Sequence, residues 1–265
     1  MSAQSEALLM NQMEEPKAPI GIFELPCGFL DTDGTLHTEV EVSEITGHEE
    51  DMMAARSIPH YKKMGTLIAR CVKRIGTITD RGRISMITSD LTIGDRAFLI
   101  FAIRRVTLGD LLPFDSTCPK CEKSAAYSIS LADLDVKKMA DPKKRIYDIT
   151  LPSKKMVRFH VMVGRDEENL AKKDMPDDSL SAALLARLEM LDGKPPTIGD
   201  LKSMSARDRN HLRSTFEEVE GGVDVSIDMT CRLCGHEWES EVDPGQAGFF
   251  FPSVAQKTSK KRSTS

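Results

Sequence analysis

The organisation of this chain is decided by two stretches, Cys118-Pro119-Lys120-Cys121 and Cys231-Arg232-Leu233-Cys234. Each pair of cysteines lies between two short segments in which apolar and polar residues alternate, a pattern typical of β-strands. Each pair is therefore predicted to form the tip of a β-hairpin. Two such tips together supply four thiolates, the ligand set of a closed, structural zinc site with Zn–S distances of about 2.3 Å.

Other interpretations of these cysteines are two disulfides, a redox motif or unrelated thiols. Disulfides need an oxidising compartment, and residues 1–19 lack the basic start and apolar core of a secretion signal. A thioredoxin-type motif opens a helix, whereas both pairs are flanked by strand patterns. The turns also differ, since Gly235 suits a tight turn and Glu122 stands at the matching place. We predict one structural Zn²⁺, with the ligands Cys118, Cys121, Cys231 and Cys234.

The composition is that of an ordinary soluble protein with a hydrophobic core. The chain has 265 residues, of which 40% are hydrophobic and 29% charged, and its net charge is −5. The negative charge argues against a surface that binds polyanions. No apolar run is long enough to predict a membrane span. Two further cysteines, Cys27 and Cys71, are predicted to be buried free thiols, which fits a reducing cytoplasm.

Hydrophobic spacing predicts several helices around a first hairpin. Ile22 to Leu30 and Leu36 to Val42 are predicted strands, joined by an Asp-Gly turn. Thr46 and Glu49 have the spacing of a capping box, which predicts the start of a helix. Further helices are predicted over Tyr61 to about Arg74, over Ile93 to Val106 (with the widest apolar stripe), and along a face shared by Leu180, Leu184, Leu188 and Leu191.

The chain also matches itself when Cys118 is placed on Cys231. In that alignment Asp95-Arg96 falls on Asp208-Arg209, and a slightly larger shift upstream places Glu49 on Asp166. The predicted fold is therefore α+β, with two tandem pseudo-repeats joined by a shared four-cysteine zinc site. Each pseudo-repeat consists of a β-hairpin, helices and half of a zinc ribbon.

This organisation divides the chain into four parts. Residues 1–19 are predicted to be a flexible arm, 20–135 the first pseudo-repeat with the first zinc knuckle, and 136–247 the second pseudo-repeat with the second knuckle. Residues 248–265 are predicted to carry an aromatic anchor and a basic, flexible tail. The anchor is Phe249, Phe250 and Phe251, whose adjacent rings cannot all point inward and which are predicted to bind a partner. The alternative is that the rings cap the chain's own ribbon.

The motifs give no support to catalysis. A zinc ion with four thiolates has no open position for a substrate, and the chain has no phosphate-binding loop or nucleophile elbow. A zinc-ribbon module that binds nucleic acid is the alternative function. It is supported by Trp238, which could stack on a base, and by the basic tail residues Lys257, Lys260, Lys261 and Arg262. The acidic second hairpin, with Glu237 and Glu239, argues against it.

With these motifs placed, the sequence resembles the baseplate hub assembly proteins of contractile-tailed, T-even-like bacteriophages. The resemblance covers most of residues 20–135 and recurs more weakly to about residue 252. It is carried by Leu25-Pro26-Cys27-Gly28, Ile45-Thr46-Gly47-His48-Glu49-Glu50-Asp51, Gly94-Asp95-Arg96 with Leu99, and the first cysteine pair before Asp133-Leu134.

The resemblance implies a non-enzymatic structural or assembly role in the tail baseplate hub. It also implies that the partners are other tail or baseplate hub proteins. The expected location is the host cytoplasm during assembly, with the virion baseplate as a further site. A membrane and a small-molecule substrate are not expected as partners. Cys27 departs from the family pattern, which favours a small polar residue there.

Overall fold

The computed structural model describes residues 20–172, 179–245 and 247–251. The predicted arm, residues 1–19, and the predicted basic tail, with Lys257, Lys260, Lys261 and Arg262, lie outside these residues. The described chain mixes helices and strands, so the predicted α+β class is confirmed.

The described part of the first half, which starts at residue 20, contains six strands and four helices. In chain order they are β1 (Ile20–Leu30), β2 (Leu36–Ser43), α1 (Gly47–Ala54), α2 (His60–Cys71), β3 (Val72–Ile75), α3 (Arg81–Asp90), α4 (Ile93–Leu108), β4 (Leu111–Thr117), β5 (Ser124–Ser130) and β6 (Val136–Lys137).

The described part of the second half contains the remaining elements. In chain order they are β7 (Ile146–Thr150), β8 (Met156–His160), α5 (Gly164–Lys172), α6 (Ser179–Leu185), β9 (Leu188–Leu191), α7 (Ile198–Ser203), α8 (Ala206–Val219), β10 (Gly222–Val223), β11 (Ser226–Thr230), β12 (Glu237–Glu241) and α9 (Ala247–Phe250).

Strand pairing gives the two halves the same element order. Strands β1, β2 and β3 form one antiparallel sheet, and β7, β8 and β9 form another in the same order. In each half two helices separate the second strand of the sheet from the third. Two more helices then lead to a separate hairpin, β4–β5 or β11–β12. The short pair β6–β10 joins the halves.

The predicted helices over Tyr61 to Arg74 and Leu180 to Leu191 are too long. Helix α2 ends at Cys71 and α6 at Leu185, and the residues that follow form the third strand of each sheet. The apolar residues of these strands continue the helical spacing, but pairing with β2 or β8 overrides the local pattern. The capping box is confirmed, because the Thr46 N–H donates to the Glu49 carboxylate at 3.0 Å.

Helix α4 occupies the centre of the larger core. Between Gly94 and Arg104 every position except Ala97 is buried, as its wide apolar stripe predicts. The core around it includes residues from β1 to β3, both separate hairpins and α9, whereas a second core lies among β7 to β9, α6, α7 and α8. No helix among the described residues is both long and apolar enough to cross a bilayer.

The first residues of α4 and α8 make matching contacts with the sheet of their own half. Thr92 accepts from the N–H of Asp95, and Ser205 accepts from the N–H of Asp208. The two carboxylates turn back to the first hairpin of each half. Asp95 accepts from the Cys27 N–H at 2.8 Å and Asp208 from the Ser153 N–H at 3.0 Å. Each buried aspartate therefore links the first turn of a helix to the first hairpin of its own half.

The two halves meet with very little space between their backbones. A Cβ atom on Gly94, the second residue of α4, would overlap the carbonyl oxygen of Gly221. Nearby, the Gly164 N–H donates to the Leu91 carbonyl at 3.0 Å and the Met139 N–H to the Pro26 carbonyl at 3.0 Å. Because backbone lies against backbone, the junction requires glycine at position 94.

We predict that Gly94→Ala destabilises the protein, whereas the matched control Gly199→Ala does not. Gly199 is also the second residue of a helix, α7, but its Cβ would lie 3.6 Å from Thr197 Oγ1, an ordinary contact. The control should gain up to about 1 kcal/mol from helix propensity. Gly94→Ala should lose roughly 1–3 kcal/mol by overpacking the junction. Urea unfolding measures both changes; equal stability of the two variants would contradict the close junction.

Candidate metal centre

The four predicted ligands meet at the tips of two hairpins. In β4–β5 the strands pair down to Thr117 and Ser124, and in β11–β12 down to Thr230 and Glu237, so both Cys-x-x-Cys turns begin where pairing ends. The Sγ atoms of Cys118, Cys121, Cys231 and Cys234 all lie within 4.8 Å of one another. The structure therefore brings together all four residues that the sequence predicts as ligands.

The two turns have the same backbone conformation. The Cys118 N–H donates to the Lys123 carbonyl at 3.1 Å, and the Cys231 N–H to the His236 carbonyl at 2.8 Å. After each pair one residue adopts a left-handed conformation, Glu122 at φ 56° and Gly235 at φ 69°. Glu122 therefore forms the same turn as Gly235, although a left-handed conformation is less favourable for a residue with a Cβ.

The spacing of the sulfurs fits a tetrahedral metal ion and excludes disulfides in this conformation. Cys118 Sγ lies 3.8 Å from Cys234 Sγ, and Cys121 Sγ lies 3.7 Å from Cys231 Sγ. A disulfide requires about 2.05 Å. Ligands about 2.3 Å from a central ion stand about 3.8 Å apart at the corners of a tetrahedron. If the two hairpins are interchanged, the Cys118–Cys234 pair becomes the Cys231–Cys121 pair. Because the two sulfur–sulfur distances are nearly equal, the site has local two-fold symmetry.

The thiols differ in how readily they lose their protons. The backbone N–H groups of Leu233 and Cys234 hold the pKa of Cys231 at about 6. Although the backbone N–H of His236 favours the Cys234 thiolate, burial and the neighbouring thiols raise the pKa of Cys234 to about 11. Four negative charges within 4.8 Å of one another would repel strongly, so a cation between the sulfurs favours the thiolate forms and metal binding releases protons.

His236 does not belong to this cluster. Among the residues that the structure describes, the cluster consists of the four cysteines, and the His236 ring stacks on Trp238 with centroids 6.3 Å apart. Four thiols are enough to complete a tetrahedral ligand set, an arrangement typical of structural zinc sites. Trp238 is half-buried and contacts the Tyr127 ring of the other hairpin edge-on, at 6.2 Å. This contact favours packing between the hairpins over base stacking.

The aromatic run requires a correction to the predicted partner anchor. Phe249 and Phe250 are only 2% and 6% exposed, and they pack in the core of the chain itself. The Phe249 ring contacts Phe101 of α4 edge-on at 5.4 Å. Two of the three rings are therefore unavailable to a partner in this conformation. Phe251 is 39% exposed, so the predicted anchor is restricted to this residue.

Arg104 has a structural role that the sequence did not reveal. Its side chain is 1% exposed, and its guanidinium donates to the carbonyls of Gly109, Leu111 and Phe249 at 2.7 to 3.2 Å. Two of these carbonyls, those of Gly109 and Leu111, directly follow the C-terminus of α4. The bond to Phe249 additionally links helix α4 to helix α9. The signal available in the sequence was a cation within an otherwise apolar helix.

Comparison with known proteins identifies one related family. A family model described as T4 bacteriophage base plate protein matches residues 30–191. The matched region contains Cys118 and Cys121 and ends before Cys231. No curated protein and no solved structure matches the chain.

We predict that the purified protein binds about one divalent metal ion per chain through the four thiolates. Cys231→Ala should reduce the affinity roughly 100-fold or more, because three thiolates leave the ion incompletely coordinated. Cys71→Ala is the matched control, since Cys71 is a buried thiol outside the cluster. Elemental analysis and the absorption of the Co²⁺-substituted protein measure the effect. Full metal content in Cys231→Ala, or none in the wild type, would contradict the site.

Proposed function

The chain belongs to the T4 bacteriophage base plate protein family, and we propose that it acts in assembly of the tail baseplate hub. The family model covers more than half of the sequence, residues 30–191. The resemblance to T-even-like baseplate proteins that the sequence indicates is thereby confirmed, and the chain is a phage baseplate structural protein. The hub as its place of action is the finer statement that we propose.

We propose that the bound metal is Zn²⁺ and that its role is structural. The observation that supports this most directly is the tetrahedral spacing of the four sulfurs, 3.7 and 3.8 Å across the hairpin pair. Four thiolates in a tetrahedron are typical of structural zinc. The ion would crosslink two hairpins that are far apart in sequence, so that its binding free energy stabilises the fold.

We also propose that the two halves are pseudo-repeats of one module, each contributing half of the zinc ribbon. The shared element order supports this, as do the paired aspartates Asp95 and Asp208. A third match is the left-handed conformation of Gly28 and Lys154, which follow Leu-Pro in the two halves and have the same φ of 72°. Arg96 and Arg209 match as well, each donating from Nη1 to a carbonyl at the end of the preceding helix, Thr88 or Leu201.

The proposed role is non-enzymatic, and its partners are other tail or baseplate hub proteins. A structural family and a closed ligand set both favour binding over catalysis. Nucleic-acid binding is less favoured, because the second hairpin carries four exposed acidic residues, Asp228, Glu237, Glu239 and Glu241. We place the chain in the host cytoplasm during assembly and, in the completed particle, at the baseplate.

A phage genome that encodes Cys231→Ala should produce few infectious particles. Without the ion the hairpins separate, so the surface presented to baseplate partners is lost. Plaque titre and electron microscopy of lysates measure the effect, with Cys71→Ala as the control that keeps the cluster. Mass spectrometry of purified wild-type particles tests retention of the chain. A normal titre from a Cys231→Ala protein shown to lack metal would refute a structural role for the ion.

Phe251→Ala should reduce incorporation into baseplates without changing the stability of the free protein. The exposed ring contributes little to the chain's own core, whereas a buried aromatic anchor at an interface can contribute 2 kcal/mol or more, roughly a 30-fold change in affinity. Leu233→Ala removes another exposed apolar side chain and serves as the control. Pull-down from infected cells and urea unfolding give the two readouts. Unchanged incorporation of Phe251→Ala would exclude the anchor.

A further inference from the structure

A groove of about 590 Å³ lies between the two cysteine hairpins, below the metal centre. Its apolar lining comes from both hairpins and from the short helix α9. The lining includes Leu112, Phe114, Tyr127, Ile227, Val242 and Phe249. We propose that this groove holds the chain's own C-terminal segment, residues 252–265. This inference goes beyond the proposed function, because it concerns a contact within the chain rather than the metal or the baseplate.

The charge of the groove selects a basic occupant. Asp115, Glu241 and Asp243 line it, and its lining contains no lysine or arginine. Asp115 and Glu241 are exposed and make no ion pair within the described part of the chain. A groove with an apolar floor and an acidic rim is complementary to a segment that carries both apolar and cationic side chains.

The C-terminal segment carries both apolar and cationic side chains, and in sequence it follows closely after Phe249, which lines the groove. It reads Pro-Ser-Val-Ala-Gln-Lys-Thr-Ser-Lys-Lys-Arg-Ser-Thr-Ser and contains no acidic residue. Val254 and Ala255 precede the first of its cations, Lys257. The segment starts three residues after Phe249, which forms part of the groove wall. Its 14 residues could span up to about 46 Å when extended, ample for a groove beside strands of about 17 Å.

The edges of the groove favour side-chain recognition over strand addition. Within the described part of the chain strand β4 pairs with β5 alone, and its exposed edge contains Pro113, which has no N–H to donate. Charged residues on the edge strand β12 also discourage pairing with another strand. Ion pairs and apolar contacts of this kind are individually weak. A tethered segment is nevertheless present at a high effective concentration, so weak contacts suffice within one chain.

Zero-length carbodiimide cross-linking of the full-length protein tests this contact, because it joins a lysine to a carboxylate only where the two touch. We expect cross-links from Lys257, Lys260 or Lys261 to Asp115, Glu241 or Asp243, in material with the mass of a single chain. They should disappear in about 1 M salt, where the screening length is about 3 Å. Protein with verified metal content is used, so that failure here is distinguishable from failure of the proposed metal site.

The charge-reversed variant D115K/E241K should lower the yield of cross-links to the remaining carboxylate, Asp243, at least about fivefold, since it replaces two attractions with two repulsions. The matched control E217K/E218K makes the same charge change on helix α8, outside the groove, and should keep the yield. Cross-links between two chains would overturn the proposal in favour of a second copy as occupant. Tail lysines joined to other carboxylates, or equal yields from both variants, would also overturn it.

Discussion

Four sulfur atoms within 4.8 Å of one another cannot all be charged unless a cation lies among them. This constraint links the two halves of the chain, because each hairpin supplies only two of the sulfurs. Backbone N–H groups stabilise the Cys231 thiolate, while burial and the neighbouring thiols hold back the proton of Cys234. Without a cation the hairpin tips would repel one another or keep their protons.

The same need to satisfy polar groups explains how helix α4 can bury a charged side chain near each of its ends. Near its N-terminus, the Asp95 carboxylate accepts from the backbone N–H groups of Cys27 and Gly28 in strand β1. Burial raises the pKa of this carboxyl. Near its C-terminus, Arg104 donates to three carbonyls, one of which belongs to Phe249 of helix α9. A buried ion that lost these partners would carry its full desolvation cost. The helix is therefore positioned by its two charged residues as much as by its apolar face.

Sequence reasoning predicted the features that depend on local chemistry. The clustering of the four cysteines, the capping box at Thr46 and the burial of α4 follow from spacing and residue type alone. It failed where distant strands intervene, since Val72–Ile75 and Leu188–Leu191 continue a helical pattern but pair with β2 and β8. It also missed helix α3, which Asp80 caps by accepting the Arg83 N–H at 2.7 Å, because Gly76 to Ser89 is rich in turn-forming residues. Phe249 packs against Phe101 and its carbonyl accepts from Arg104, and because both residues are distant in sequence, local patterns could not predict its burial.

The proposed duplication explains why the two halves remain one folding unit despite their divergence. Both cysteine hairpins pack with the first core, and the second core contains neither of them. Positions that match across the repeat have changed accordingly. Gly94 faces the backbone of the other half, whereas its counterpart Arg207 on α8 is exposed; Arg104 is buried and bonded to Phe249 of α9, whereas its counterpart Glu217 is exposed. Under this proposal neither half has four cysteines of its own, so the shared ion and the close junction at Gly94 would both help to hold the two halves together.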